Sequence, residues 1–67
     1  MRYSKHAMVR MRERNMTHQD INTCLAYGKC LVNKHDSTKN TWVLNGTTDV
    51  YVVTNKENTV VITVWTK

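Results

Sequence analysis

The chain has 67 residues, 40% of them hydrophobic, and its ten Lys and Arg residues oppose five Asp and Glu for a formal net charge of +5. This length predicts one domain, 1–67, and the grouping of Val, Ile and Trp into runs excludes a disordered tail. Charges interrupt the apolar residues after Met1, and no run reaches the roughly 18 residues of a membrane span, so we expect a cytoplasmic protein without a membrane partner.

The first predicted element is a helix over 5–14, for which Ser4 is a suitable N-cap. The segment contains no helix breaker, and Asn15 can end it in a left-handed conformation. Its apolar side chains are expected on one stripe: Ala7, Met8 and Met11.

A second helix follows a tight corner. Thr17 and Asp20 resemble a capping box at its start, and Gly28 ends it. Its apolar stripe consists of Ile21, Cys24 and Leu25.

After Gly28 the periodicity becomes that of a sheet. The predicted strands are 30–33, 41–45, 49–54 and 59–66, separated by polar turns that include 35–40 and 55–58. In the last strand, we expect Val60, Ile62 and Val64 to pack on the helices, which leaves Thr63, Trp65 and Lys67 on an open face. The predicted fold class is therefore α+β: two N-terminal helices packed on one face of a three- to four-stranded antiparallel sheet.

The positive charge is concentrated near the N-terminus. The first 14 residues hold five Lys and Arg against one Glu, a formal +4 of the total +5. A localised basic patch attracts polyanions, RNA and DNA first among them. The alternative is an ordinary solvated helix face.

Within that segment, helical spacing places His6 beside Arg10, with Arg14 one turn further on. Imidazole can transfer a proton near neutral pH, and guanidinium groups can hold a phosphate and stabilise its developing charge. These three candidate catalytic residues suit metal-independent RNA cleavage, in which the ribose 2′-hydroxyl attacks its own phosphate. The simpler interpretation is that His6 packs at the helix start beside a basic surface.

Further side chains are candidates for binding RNA or phosphate. The open sheet face offers a hydroxyl, a stacking surface and a cation, the combination that commonly holds single-stranded nucleic acids. The alternative is that Trp65 covers an apolar patch or forms a dimer contact. With two cations of the first helix, the candidates are Lys5, Arg12, Thr63, Trp65 and Lys67.

Neither a metal nor a cofactor is predicted. The His and Cys residues are scattered, and no pair has the short spacing of a zinc site: His6, His18, His35, Cys24 and Cys30. Without a secretory signal, both cysteines are expected to be free thiols. Cys24 lies on an apolar stripe, which makes it a poor nucleophile, and no glycine-rich phosphate loop is present.

Residues 3–29, YSKHAMVRMRERNMTHQDINTCLAYGK, and the terminal VVITVWTK resemble the small prokaryotic and phage proteins of the domain-of-unknown-function 4258 (DUF4258) family. Members typically open with a helix of the form H-A-x-x-R-M-x-x-R, and the matching residues are His6, Ala7, Arg10, Met11 and Arg14. The resemblance implies a fold like that of RelE-type (BECR) ribonuclease toxins, with a site on or beside the sheet that uses basic residues, His and hydroxyls on RNA.

By the same resemblance, His6, Arg10 and Arg14 are motif residues and Thr63 is the hydroxyl of the terminal strand. Family members often end that strand with His or Tyr followed by Arg. Here Trp65, Thr66 and Lys67 stand at the end, and this departure removes a potential second acid or base.

The leading hypothesis is a small RNA-directed protein, a toxin-like endoribonuclease with a cognate antitoxin as a potential partner. The alternative is a non-catalytic binding module, encoded by a phage or mobile element, that holds a nucleic acid or an acidic host protein. A homodimer sealed by strand residues 60–65 is compatible with either hypothesis.

Overall fold

A computed structural model describes residues 1–31 and 38–67 of the protein. Its elements in chain order are β1 (Arg2–Tyr3), α1 (Lys5–Glu13), α2 (His18–Tyr27), β2 (Lys29–Leu31), β3 (Lys39–Leu44), β4 (Val50–Asn55) and β5 (Val60–Thr66). The α+β class is confirmed. The predicted strand positions 32–33 and turn positions 35–37 lie outside the described residues.

The sheet has five strands in the order β1-β5-β4-β3-β2. The neighbours from β2 to β5 pair antiparallel, whereas β1 pairs parallel with β5, opposite Val60 and Val61. The predicted three- to four-stranded antiparallel sheet was therefore wrong in strand number and in being purely antiparallel. A two-residue strand carries no sequence periodicity, so β1 could not be recognised before its pairing was known.

Ser4 connects β1, α1 and β5. Its backbone N–H donates to Val61 O at 2.9 Å, which continues the parallel pairing by one residue. Its hydroxyl accepts from Ala7 N at 3.0 Å as the N-cap of α1 and donates to Ile62 O at 2.5 Å. The start of α1 is thus attached directly to β5, and α1 packs on that strand.

The corner between the helices forms as the sequence indicates. Asn15 has a φ of 54°, in the left-handed region that Asn tolerates. Thr17 and Asp20 form the predicted capping box: Asp20 N donates to Thr17 Oγ1 at 3.2 Å, and Thr17 N donates to Asp20 Oδ2 at 2.9 Å. Two reciprocal bonds satisfy backbone donors that the first turn of α2 would leave unpaired.

The core lies between the helices and one face of the sheet. Its buried members are Ala7, Met11, Met16, Ile21, Cys24, Val52, Val61 and Val64. Met8, predicted on the apolar stripe of α1, is 51% exposed, because Ala7 and Met11 alone point into the core.

A β-bulge changes which residues of β5 reach that core. Val61 lies opposite Thr54 and Thr63 lies opposite Val53, so Ile62 is the extra residue between them. The prediction that Val60, Ile62 and Val64 share the helix face was therefore wrong for the first two: Val61 and Val64 are fully buried, whereas Val60 and Ile62 are half-buried. Beyond the bulge the alternation is regular, so Thr63 and Trp65 lie on the face opposite the helices.

Gly28, the C-cap residue of α2, leaves no room for a side chain. Its φ is −75°, which any residue can adopt, but a Cβ at this position would lie 2.7 Å from Val43 O and even closer to Cys24 O. Both obstacles are backbone atoms, which cannot rotate away. The glycine is needed because α2 passes close to β3 there.

Gly28→Ala should therefore lower the free energy of unfolding by about 1–3 kcal/mol, the usual range for overpacking. Gly46→Ala is the matched control, because its Cβ would meet nothing closer than Thr48 O at 3.7 Å. Urea denaturation of both variants measures the difference. Equal effects of the two substitutions would contradict the steric explanation.

Ser4→Ala should lower the free energy of unfolding by roughly 2 kcal/mol, because it removes the helix cap and leaves the Ile62 carbonyl without its partner. Thr17→Ala removes only an exposed cap and should cost about 1 kcal/mol or less. Thermal and urea unfolding compare the two. A smaller effect at Ser4 than at Thr17 would refute its connecting role.

Candidate nucleic-acid interface

The basic stripe of α1 consists of His6, Arg10 and Arg14. Because Ala7 and Met11 are buried, the rotation of the helix is determined, and the three residues at spacings of four follow one flank of it. His6 and Arg14 are exposed, and Arg10 is half-buried. Arg14 is the C-cap residue, and its backbone N–H donates to Arg10 O at 3.0 Å.

Within the described part of the chain, the side chains of the stripe have no partner. Among residues 1–31 and 38–67, none of the three makes an ion pair or a side-chain hydrogen bond. The first turn of α1 contains no acidic residue, and its last turn contains Arg10 and Arg12, which complement the negative end of the helix dipole. The guanidinium groups are therefore free to hold an anion such as a phosphate.

Lys5 and Arg12 extend the basic surface beyond the stripe. Both are exposed on the part of α1 that points away from the sheet, where Met8 and Val9 are also exposed. The outer surface of the helix thus mixes cations with two apolar side chains.

A second group of candidates lies on the open face of the sheet. The Trp65 ring stacks on Tyr51 of the neighbouring strand, with centroids 4.9 Å apart and planes 4° apart. Lys67 Nζ lies 5.7 Å from the Tyr51 ring centroid, within cation–π range. Thr63 stands opposite Val53 on the same face.

Tyr51 belongs to this group although it is not among the candidates named from sequence. The alternation of β4 puts Tyr51 and Val53 on one face, which is a usable signal. Its partner could not be named, however, because the bulge at Ile62 alters the register between β4 and β5.

The structure does not bring the two groups into one pocket. The basic stripe belongs to a helix on the core face, whereas Thr63 and Trp65 lie on the opposite face. An open surface cleft of about 620 Å³ lies elsewhere, lined by Met1, Arg2, Asn58, Thr59 and Val60, and contains no candidate catalytic residue. His6 is exposed to solvent and does not line this cleft.

The described part of the chain shows no group of metal ligands. It contains no cluster of three His, Cys, Asp or Glu side chains that could hold a metal ion. His35, one of the scattered candidates, lies outside the described residues. Among the described helices, none combines the length and apolar character needed to cross a membrane.

Cys24 is fully buried, and burial raises the pKa of its thiol to about 11. Its Sγ donates to Val50 O at 3.6 Å. Cys30 is exposed, and both thiols are free. A nucleophile needs an accessible thiolate, so Cys24 is part of the core and not of the site.

These features define a small α+β protein with a basic helix on one face of its sheet and an aromatic pair on the other. The family model described as "Domain of unknown function (DUF4258)" matches residues 3–66, and the chain belongs to that family. No curated protein and no solved structure matches it. The resemblance stated from sequence is confirmed at the level of the family, and the relation to RelE-type toxins stays a prediction.

The raised pKa of Cys24 predicts a pH dependence of stability. Between about pH 9 and pH 11 the unfolded thiol loses its proton while the folded thiol retains it, so the free energy of unfolding falls as the pH rises. Urea unfolding across this range should show a weaker decline in Cys24→Ala than in the unmodified protein. Cys30→Ala is the control and should retain the full decline; identical slopes in all three proteins would exclude the effect.

Proposed function

We propose that the protein is RNA-directed and that the basic stripe of α1 holds the phosphate backbone. The observation that carries this proposal is the alignment of His6, Arg10 and Arg14 on one flank of α1 without an ion pair among the described residues. Unpaired guanidinium groups one turn apart suit successive anionic groups of a polymer better than a single small ligand.

In the catalytic form of the proposal, His6 is the proton-transfer group of a metal-independent endoribonuclease. Its imidazole accepts the proton of a ribose 2′-hydroxyl, whose oxygen attacks the adjacent phosphorus. The bond from phosphorus to the 5′-oxygen breaks, a 2′,3′-cyclic phosphate forms, and the imidazolium or water returns a proton to the leaving oxygen. Arg10, one turn away, stabilises the charge that develops on the phosphate.

The binding module is the second candidate, and a specific observation favours it. His6 is the one imidazole of the stripe, and it is exposed to solvent. The strand end Trp65, Thr66 and Lys67 also lacks the His or Tyr that the family resemblance leads us to expect. Cleavage usually requires a second acid or base and exclusion of water. In this form, the same helix binds RNA without cleaving it, or it binds an acidic host protein instead of RNA.

A relation to RelE-type toxins is part of the same proposal. Two helices on one face of a sheet whose other face is open support a relation to RelE-type toxins. Under that relation the protein would be toxin-like and cytoplasmic, with an antitoxin as partner. The proposal also retains Lys5 and Arg12 as further phosphate contacts.

The first experiment incubates the purified protein with total cellular RNA in EDTA. If the catalytic form holds, fragments with cyclic phosphate ends appear, and His6→Ala slows cleavage at least about a hundredfold, the usual contribution of a general base. Circular dichroism of His6→Ala checks that the fold is retained. Binding without cleavage, unchanged in His6→Ala, would reject catalysis and leave the binding module.

The second experiment measures RNA affinity against salt. Arg14→Glu should weaken binding roughly tenfold, or about 1.4 kcal/mol, and reduce the salt slope, because a phosphate contact is lost and a repulsive charge is added. Lys56→Glu is the matched control: it makes the same change in net charge at an exposed position of the β4–β5 turn. Equal losses in the two variants would show that net charge alone attracts RNA and would reject the basic stripe as the site.

A further inference from the structure

The Tyr51–Trp65 pair is a stack that is already formed. Tyr51 and Trp65 lie directly opposite each other on β4 and β5, and their rings are nearly parallel. Lys67 lies near the Tyr51 ring. Each ring restricts the other, so Trp65 would lose little side-chain freedom on contact with a ligand.

The outer face of Trp65 has no strand beside it among the described residues. β1 pairs only with Val60 and Val61, at the other end of β5, so at Trp65 the sheet ends with β5 itself. One face of the indole contacts Tyr51, and the other points away from it, past the edge of the sheet. A third planar ring could extend the stack there.

The surroundings favour an anionic ligand that carries such rings. None of the five described strands contains an Asp or Glu residue. Lys29 lies in the same row across the sheet as Trp65, through the pairs Lys29–Val43, Val43–Tyr51 and Tyr51–Trp65. With Lys67, two cations therefore lie on this face. One carboxylate lies beside them, because Asp49 stands opposite Lys67 through two backbone hydrogen bonds, and its Oδ1 accepts from Gly46 N at 3.3 Å. The excess of cations suits a polymer of bases and phosphates.

The aromatic pair lies a short distance along β5 from the point where α1 begins, although it faces the other way. Ser4 bonds to Ile62 O, so α1 begins beside that residue, and Trp65 lies three residues further along β5. At roughly 3.3 Å per residue this is about 10 Å of strand. A flexible chain of a few nucleotides can pass around the β5 edge from one to the other.

We infer that the RNA is single-stranded and that one of its bases stacks on the outer face of Trp65, as the third member of the Tyr51–Trp65 stack. The inference rests on the proposed function, since it names the class of RNA that the basic stripe holds. Bases within a duplex are stacked on their neighbours and have no free face to offer, whereas single strands can place a base on an aromatic side chain.

The test uses three probes: oligouridylate, an RNA duplex of the same length, and inorganic polyphosphate. Trp65→Leu should weaken oligouridylate binding roughly ten- to hundredfold, the effect expected for one base–aromatic stack, and leave polyphosphate binding unchanged. Trp65→Phe should restore most of the affinity. Tyr27→Leu is the control, because Tyr27 is an exposed aromatic residue at the end of α2 and should not matter.

A measurement on the unmodified protein guards against misfolding of Trp65→Leu. On titration with oligouridylate, the indole N–H resonance of Trp65 should shift, whereas that of Trp42, whose Nε1 donates to Thr54 Oγ1 inside the fold, should stay in place. If the Trp65 resonance does not respond to oligouridylate, or if the RNA duplex binds as tightly as the single strand, the inference is overturned while the proposed function stands.

Two further outcomes separate the remaining explanations. If the unmodified protein binds none of the three probes, the proposed function fails and the inference fails with it. If sedimentation shows a dimer that Trp65→Leu dissociates, and oligouridylate still binds that variant at full affinity, the surface belongs to a second copy of the chain and the inference is overturned.

Discussion

The hydrogen bonds of Ser4 are the constraint on which the rest of the structure depends. One residue ends β1, caps α1 and attaches both to β5, which is the last strand of the chain. Because α1 begins at this attachment, Ala7 and Met11 pack against the sheet at β5. The opposite surface of the helix is left in solvent. The position of the basic stripe therefore follows from a cap and a strand pairing before any ligand is considered.

The bulge in β5 makes this attachment feasible. Successive carbonyls of a regular strand point to opposite sides, so a single neighbour can reach only every second one. Here Val61 O and Ile62 O both accept from Ser4, and Ile62 is the bulged residue. The same bulge turns Val61 into the core and leaves Thr63 and Trp65 on the open face. One irregularity thus determines both where α1 is attached and which side chains the sheet exposes.

The parts of the fold that depend on local chemistry could be predicted from sequence. The cap at Ser4, the box at Thr17 and Asp20, and the left-handed turn at Asn15 are set by residues three or four positions apart. The parallel pairing of β1 could not be predicted, because it joins residues about sixty positions apart in the chain. The register of β5 could not be predicted either, because it depends on a bulge that the alternation of residues does not indicate. The same holds for the candidate site. The basic stripe could be predicted from helical spacing, whereas the Tyr51–Trp65 stack could not be predicted without the register between β4 and β5.

The placement of the two surfaces limits the ligands that can use both. A compact molecule cannot touch the basic stripe and Trp65 at once, since the sheet lies between them. A flexible polymer can, because β5 is the edge of the described sheet at Trp65, and the paired part of β1 stops before that residue. Each proposed contact is made by a single surface side chain and is individually weak, so useful affinity requires several of them on one connected ligand, as the chelate effect of linked sites describes. The proposed ligand, an extended, charged and unpaired chain, is compatible with this placement, whereas a compact substrate could use only one of the two surfaces.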